Sequence, residues 1–253
     1  MLVICFDMAK SGSTLTYEIV RGVLAGAGYD QKRIKSPALR RKRKGNYFAE
    51  VERDSLSELL DTIGDGHMLA VKTHMVFDDS MFPWLEELQQ QRKLQVVASY
   101  RDPRDICLSL VDHGERSRDA GKESFAHIGD LEHAAGLVDK AIPKFRKWAS
   151  LKGALRLYFE TVAFAPDDAI STVERALGVT CDHDEVKRHA FEDAFTQTNK
   201  AQKTRFEEEM DVSDQNELGE HFAEFIERVC KQNDPKWFSD YRDQLLARIG
   251  SAA

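Results

Sequence analysis

Three short segments of the sequence hold residue types that bind and move anionic groups. In Cys5-Phe6-Asp7-Met8-Ala9-Lys10-Ser11-Gly12-Ser13-Thr14, a lysine, a glycine and three hydroxyl residues lie between an apolar run and an amphipathic stretch. Such a turn suits a phosphate. Main-chain N–H groups at a helix start point at an anion, Gly12 lets the backbone come close, Ser13 and Thr14 add hydroxyl donors, and Lys10 adds charge. The plainer alternative is a capped strand–helix turn with a solvated lysine. A GxxxxGK[ST] loop carries its lysine after the second glycine, whereas Lys10 precedes Gly12, which disfavours an ATPase or nucleotide kinase of that type and leaves a related fold open.

The second segment is Ser99-Tyr100-Arg101-Asp102-Pro103-Arg104-Asp105-Ile106-Cys107-Leu108-Ser109. Asp102 as N-cap, Pro103 at the first helical position and Asp105 in the first turn signal a helix start. Arg101 then falls at the carboxyl end of a strand, and Ser109 shares a helix face with Asp105. Both can reach a second phosphate, although an Arg-Asp-Pro turn by itself also reads as a structural ion pair. The third segment, Val71-Lys72-Thr73-His74, puts a histidine at another strand end. With an unperturbed pKa of ~6.5, an imidazole there can take a proton from a hydroxyl near neutral pH. A lone histidine is more commonly structural, and its place beside the phosphate loop is what favours a chemical role.

The elements that must position these segments follow from hydrophobic patterning. Leu2–Phe6, Met68–Val71, Leu94–Ser99 and Ala154–Phe159 lack polar alternation, as expected for strands covered on both faces. Between them lie helical patterns, the signature of βαβ units. Leu15, Ile19, Val20, Val23 and Leu24 form one stripe with Gly28 as its C-cap, and Leu56, Leu59, Leu60 and Ile63 form another, capped by Asp54 or Ser55. Pro166 starts a helix through Ile170, Val173 and Leu177 that Gly178 closes. Leu218, Phe222, Phe225, Ile226 and Val229, then Trp237, Phe238, Tyr241, Leu245 and Leu246, make a helical C-terminal part. The fold class is therefore α/β, a P-loop-like, mostly parallel central sheet with helices on both faces, read as a single domain over residues 1–253. Tyr29–Arg53, Gly114–Gly129 and Thr196–Gln215 resist assignment and read as functional loops.

Composition narrows the function classes. With 253 residues, 36 Lys+Arg against 43 Asp+Glu and a net charge of −7, the chain is an ordinary globular protein whose acidity argues against a general nucleic-acid binder. No apolar stretch approaches the ~20 residues of a membrane span, and no signal peptide is recognisable. Four scattered cysteines, Cys5, Cys107, Cys181 and Cys230, suggest neither a zinc site nor a disulfide framework, so a reducing cytoplasm is expected.

In order and spacing, these segments resemble the sulfotransferases that use 3′-phosphoadenosine 5′-phosphosulfate (PAPS). Lys10-Ser11-Gly12-Ser13-Thr14 resembles the family's 5′-phosphosulfate loop, with Ala9 where Pro is usual. Arg101 and Ser109 resemble its 3′-phosphate element, and Lys72-Thr73-His74 is similar to the Lys-Thr-His whose histidine is the catalytic base. Leu157-Tyr158-Phe159-Glu160 before a helix ending at Gly178 is a fourth likeness, and the resemblance covers roughly Leu2 to Gly178. It implies His74, Lys10 and Lys72 as catalytic candidates, with Lys72 also readable as a bystander. It implies Lys10, Ser11, Gly12, Ser13, Thr14, Arg101 and Ser109 as PAPS-binding residues, with no metal.

Departures shape further expectations. Leu15 stands where many members carry a tryptophan against adenine, and Phe159 takes the place of an adenine-contacting tyrosine. The C-terminal Arg-Lys-Gly…Gly-Asp-Trp signature is absent, and the basic segment 199–206, with Lys203 and Arg205, is its expected replacement. The KxxxTVxxxE dimer motif is missing, which leaves oligomeric state open. The acceptor is expected to be a small molecule or carbohydrate. The run Arg40–Lys44 is either a solvated loop or a basic rim for an anionic acceptor, and His113 with the 114–129 loop is an acceptor-pocket candidate. A PAP-binding module without catalysis and, more weakly, a nucleotide kinase are the competing readings.

Overall fold

A computed structural model describes residues 1–39, 45–48, 50–194 and 202–251. Four strands form one parallel sheet in the order β2-β1-β3-β4: β1 (Leu2–Asp7), β2 (Leu69–Thr73), β3 (Leu94–Tyr100) and β4 (Leu155–Tyr158). β2 lies on one side of β1 and β3 on the other, so strand order reverses beside β1. In open α/β sheets the carboxyl ends of the strands at such a switch point form the ligand crevice.

Both faces of the central strand β1 are covered. Leu2, Ile4 and Phe6 of β1 enter one core cluster, while Val3 and Cys5 enter the other, as period-2 alternation requires. The second cluster is covered by α1 (Ser13–Gly26) and by residues of helices further along the chain. The first is covered in part by α2 (Arg53–Ile63), α3 (Phe82–Gln90), α4 (Pro103–Asp119) and α5 (Leu131–Ala149). Trp148 of α5 is fully buried against Phe6 and Phe77. After β4 come α6 (Phe159–Phe164), α7 (Pro166–Leu177), α8 (His183–Arg188), α9 (Arg205–Glu209), α10 (Val212–His221), α11 (Ala223–Phe225) and α12 (Pro235–Ser251).

Local signals set several helix ends. Gly28, at φ 90°, follows α1 in a Schellman arrangement: its N–H bonds the Ala25 carbonyl, and Tyr29 N–H bonds that of Leu24. Asp102 caps α4 by accepting from Arg104 N–H, with Pro103 behind it. Gly178 ends α7 in the left-handed region.

Elsewhere the structure differs from the sequence reading. α2 starts after Glu52, not after Asp54 or Ser55, and has no side-chain cap. β4 stops at Tyr158, so Phe159 opens a helix instead of ending a strand. α4 runs to Asp119, which takes the first six residues of the 114–129 segment, and α9 lies within 196–215. The stripe 218–229 is not one helix. It passes from α10 through α11 into a π-helical turn, Ile226–Lys231, all docked by the same apolar side chains. Arg40–Lys44 and residues 199–201 lie outside the described residues.

Candidate active site

The three chemically suggestive segments meet at the carboxyl ends of β1, β2 and β3. β1 delivers the chain into a loop in which Lys10 (φ 68°) and Gly12 (φ 82°) are both left-handed. α1 then starts with no side-chain cap and no acidic residue in its first turn, so the N–H groups of that turn take no side-chain acceptor from the cap position. A Cβ on Gly12 would lie 2.4 Å from the Phe159 ring, so only glycine permits that contact.

β2 contributes the next groups. Lys72 is in register with Cys5 and so projects to the α1 face, where its Nζ donates to the hydroxyls of Ser13 (2.8 Å) and Thr14 (3.2 Å). That placement puts its ammonium on the loop's hydroxyls. His74 follows two residues later, half-buried, its Nδ1 3.0 Å from the Asp7 carbonyl. A carbonyl only accepts, so Nδ1 carries the proton and the neutral ring has its lone pair on Nε2, the tautomer of a general base. Tyr47 lies against the ring at 5.9 Å. α5 pins the chain beyond it: Trp148 Nε1 donates to the Met75 carbonyl and Lys147 Nζ to that of Phe77.

α4 joins the two ends of the site. Its face carries Asp105, the half-buried Ser109 and His113 at intervals of four, a span of about 12 Å at 1.5 Å per residue. At one end His113 Nδ1 accepts from Lys10 Nζ at 3.2 Å. Burial, then the nearby Arg116, lowers the Lys10 ammonium to about 8. Burial, then Lys10, also lowers His113 from its ordinary value.

At the other end Arg101 is buried. Its Nε and Nη2 donate to Asp105, and its guanidinium lies 4.2 Å from the centre of the Phe159 ring. The Phe159 ring is thus held between Gly12 and Arg101, and it is 6% exposed.

The chain after residue 201 returns to this second end. Phe206 N–H donates to Asp105, the Arg104 guanidinium stacks at 3.6 Å on the Phe206 ring, and the Glu160 carboxylate is bonded by the Thr204 backbone. Lys203 is exposed, with its ammonium 5.1 Å from the Phe164 ring. Arg205 is 4% exposed and is clamped by Glu209 and Asp112. The structure therefore brings together Lys10 to Thr14, Lys72 and His74 at one end, and Arg101, Phe159, Lys203 and Arg205 at the other. Ser109 lies on the helix between them.

Several contacts carried no sequence signal. The pairing of Asp7 with Ser99 needs the β1/β3 register, the contact of Lys10 with His113 spans 103 residues, and the clamp on Arg205 needs α4 and α9 together. His113 and Arg205 were legible as candidates but not with these partners, and Asp7 stands out as a carboxylate directly after a wholly apolar strand.

A family model described as a sulfotransferase domain matches residues 3–239. The chain belongs to the sulfotransferase family. Its fold is similar to that of retinol dehydratase solved with androsterone and the inactive cofactor PAP, at 15% identity over 89% of this chain and 80% of that one, with a TM-score of 0.50. Retinol dehydratase solved with retinol and PAP gives 14%, 89%, 81% and 0.50. A sulfotransferase from Alicyclobacillus acidocaldarius matches at 14% identity over 90% of this chain and 93% of that one, with a TM-score of 0.45. No curated protein matches this sulfotransferase in sequence. Among its described residues no helix is long and apolar enough to cross a membrane.

Proposed function

We propose that the protein transfers a sulfuryl group from PAPS to a hydroxyl, with an amine as second choice, on a small-molecule or carbohydrate acceptor. The observation that carries this reading is His74: its Nδ1–H is engaged by the Asp7 carbonyl, which aims the basic nitrogen elsewhere, beside a loop built for an oxyanion. The residues present fit the donor. The uncapped start of α1, the Ser13 and Thr14 hydroxyls, Lys72 and Lys10 make a donor-rich, cationic set, and Arg101 lies at the far end of α4's face.

PAPS, when bound, supplies the sulfuryl group and leaves as PAP. The chain's own contributions are positioning and charge. The amides of Gly12, Ser13 and Thr14 take the 5′-phosphate. Lys10 and Lys72 place positive charge beside it. His74 Nε2 removes the acceptor's proton. Arg101 engages Asp105 through Nε and Nη2, so Nη1 with Ser109 and Lys203 serves the 3′-phosphate. Arg205, held by two carboxylates, seats the returning segment on α4 beside them. Phe159, buried under Arg101, shapes the floor between the two phosphates. Tyr47 and Met75 border His74 on the acceptor side.

Calorimetric titration with PAP, with ATP as competitor, tests the donor site in wild type, Lys10→Ala and Arg101→Ala. Binding that collapses in both variants supports the reading. Absence of PAP binding removes it, and tighter ATP binding favours a nucleotide kinase. The competing reading is a PAP-binding module without turnover. PAP binding with no transfer from PAPS across an acceptor panel would support it.

A further inference from the structure

Beneath the Lys10–Thr14 loop lies a carboxyl for which the transfer reaction has no use. Asp7 ends β1, is 1% exposed, and by strand alternation faces α1 together with Cys5. Across the sheet it is in register with Ser99. Its Oδ1 meets the Ser99 hydroxyl in a short contact, while its Oδ2 is buried with no hydrogen-bond partner. An ionised carboxylate with a bare oxygen in such a place is costly.

The protons in this cluster can be counted. Asp7, Ser99, Ser11 and the Met8 carbonyl form a run of three oxygen–oxygen contacts: Asp7 with Ser99, Ser99 with Ser11 at 3.1 Å, and Ser11 with Met8 at 2.7 Å. Each contact needs one proton between its oxygens, and each serine brings one. The Met8 carbonyl can only accept, so the Ser11 proton goes there. The Ser99 proton then fills one of the two remaining contacts and leaves the other as facing lone pairs. A proton on Asp7 completes the run, with Asp7 donating to Ser99, Ser99 to Ser11, and Ser11 to Met8.

We propose that Asp7 is a positioning residue that keeps its proton near neutral pH and, through Ser99 and Ser11, holds the Lys10–Thr14 loop in its anion-accepting shape. Loss of that proton breaks the run and places a negative charge under the loop, so anion affinity falls. Only the identity of the anion rests on the donor-site reading above.

Burial favours the same protonated form. Burial pushes the Asp7 carboxyl up to about 7, against opposition from Lys72 and the Ser99 hydroxyl. The groups facing it are Lys72 from β2, the Cys5 thiol of β1, kept protonated by burial, and the His74 ring on Asp7's own carbonyl. From α1, Glu18 adds negative charge felt at Cys5, while Lys10 is turned to His113. An acid whose folded value lies above its unfolded value binds more protons in the native state between the two. The contribution of Asp7 to stability therefore falls as pH rises from about 4 to about 7 and then levels.

Carbon-13 NMR of the Asp7 carboxyl, recorded with the Ser11 and Gly12 amides on ligand-free protein, tests the proposal directly. The expected result is one shared midpoint near neutrality. A carboxyl already ionised at low pH, or loop amides indifferent to its titration, overturns it. PAP affinity is then compared between wild type and Asp7→Asn, whose amide donates to Ser99 at every pH. The variant should gain on wild type by up to about tenfold per pH unit above the midpoint, the limit for one linked proton. The titrations of Lys10 and of PAP itself cancel in that ratio, and a ratio constant with pH overturns the coupling. If Asp7→Asn does not fold, Ser99→Ala replaces it: its loop amides should stop following the carboxyl, and continued following overturns the relay. If no form binds PAP at any pH, the donor-site reading fails, while the carboxyl and amide titrations still judge Asp7.

Discussion

The two ends of the candidate site hold their cations differently. At the Lys10–Thr14 end, Lys10 is bonded to a neutral imidazole nitrogen and Lys72 to two hydroxyls. At the Arg101 end, Arg101 is bonded to Asp105, Arg104 to Asp102, and Arg205 to both Asp112 and Glu209. An anion arriving at the first end meets ammonium groups that donate to an imidazole and to hydroxyls. At the second end it shares guanidinium groups with carboxylates that also hold the structure together. The first end is therefore a site for charge, and the second is a frame whose arginines serve order before they serve a ligand. Bidentate guanidinium geometry permits both duties at once, whereas a lysine could not fill them.

The largest expected effect breaks the comparison at the base. His74→Gln should lower kcat/KM by roughly 10²–10⁴-fold, the usual contribution of a general base, and leave PAP affinity within a factor of about two to three. Steady-state kinetics beside calorimetry checks this, and equal losses in both would make His74 a binding residue.

Arg101→Ala should reveal the framing role. Leaving Asp105 buried without its partner costs about 3–5 kcal/mol, so thermal stability should fall along with PAP affinity. Adding Asp105→Asn should restore much of the stability and none of the affinity. Lys10→Ala, by contrast, should weaken PAP by about 10–100-fold, as for a lost charged hydrogen bond of 1.5–3 kcal/mol, with little change in Tm. Differential scanning calorimetry separates the two patterns.

Gly12→Ala tests the close approach between loop and Phe159. A left-handed alanine costs of order 1–3 kcal/mol and the ring must also move. Tm should drop by several degrees, and Phe159→Ala should relieve part of the penalty.

The smallest effect is a pH dependence. Lys10 is lowered to about 8, so its charge is present below that pH and lost as pH rises through it. PAP affinity measured in Asp7→Asn should therefore decline above pH 8, and the decline should disappear in the double variant with Lys10→Ala.

Much of this architecture is legible in the sequence. Apolar runs without alternation marked all four strands, and Asp102-Pro103 marked the start of α4. The Lys-before-Gly loop disfavours an ordinary P-loop nucleotide kinase. The misreadings have physical causes. Phe159 ends an apolar run but turns into a helix, because its ring finds Gly12 and Arg101 instead of a strand neighbour. The stripe 218–229 looks like one helix because packing on the core preserves its apolar contacts through a change to π-helical geometry.

The sequence alone determined the strands and the order of the segments that meet at their carboxyl ends, since these depend on burial period and capping within a few residues. Tertiary structure alone decided the partners: Asp7 with Ser99, Lys10 with His113, and Arg205 with Asp112 and Glu209. Contacts across 92 or 103 residues follow from strand register and from the docking of α4 and α9, which no local propensity encodes.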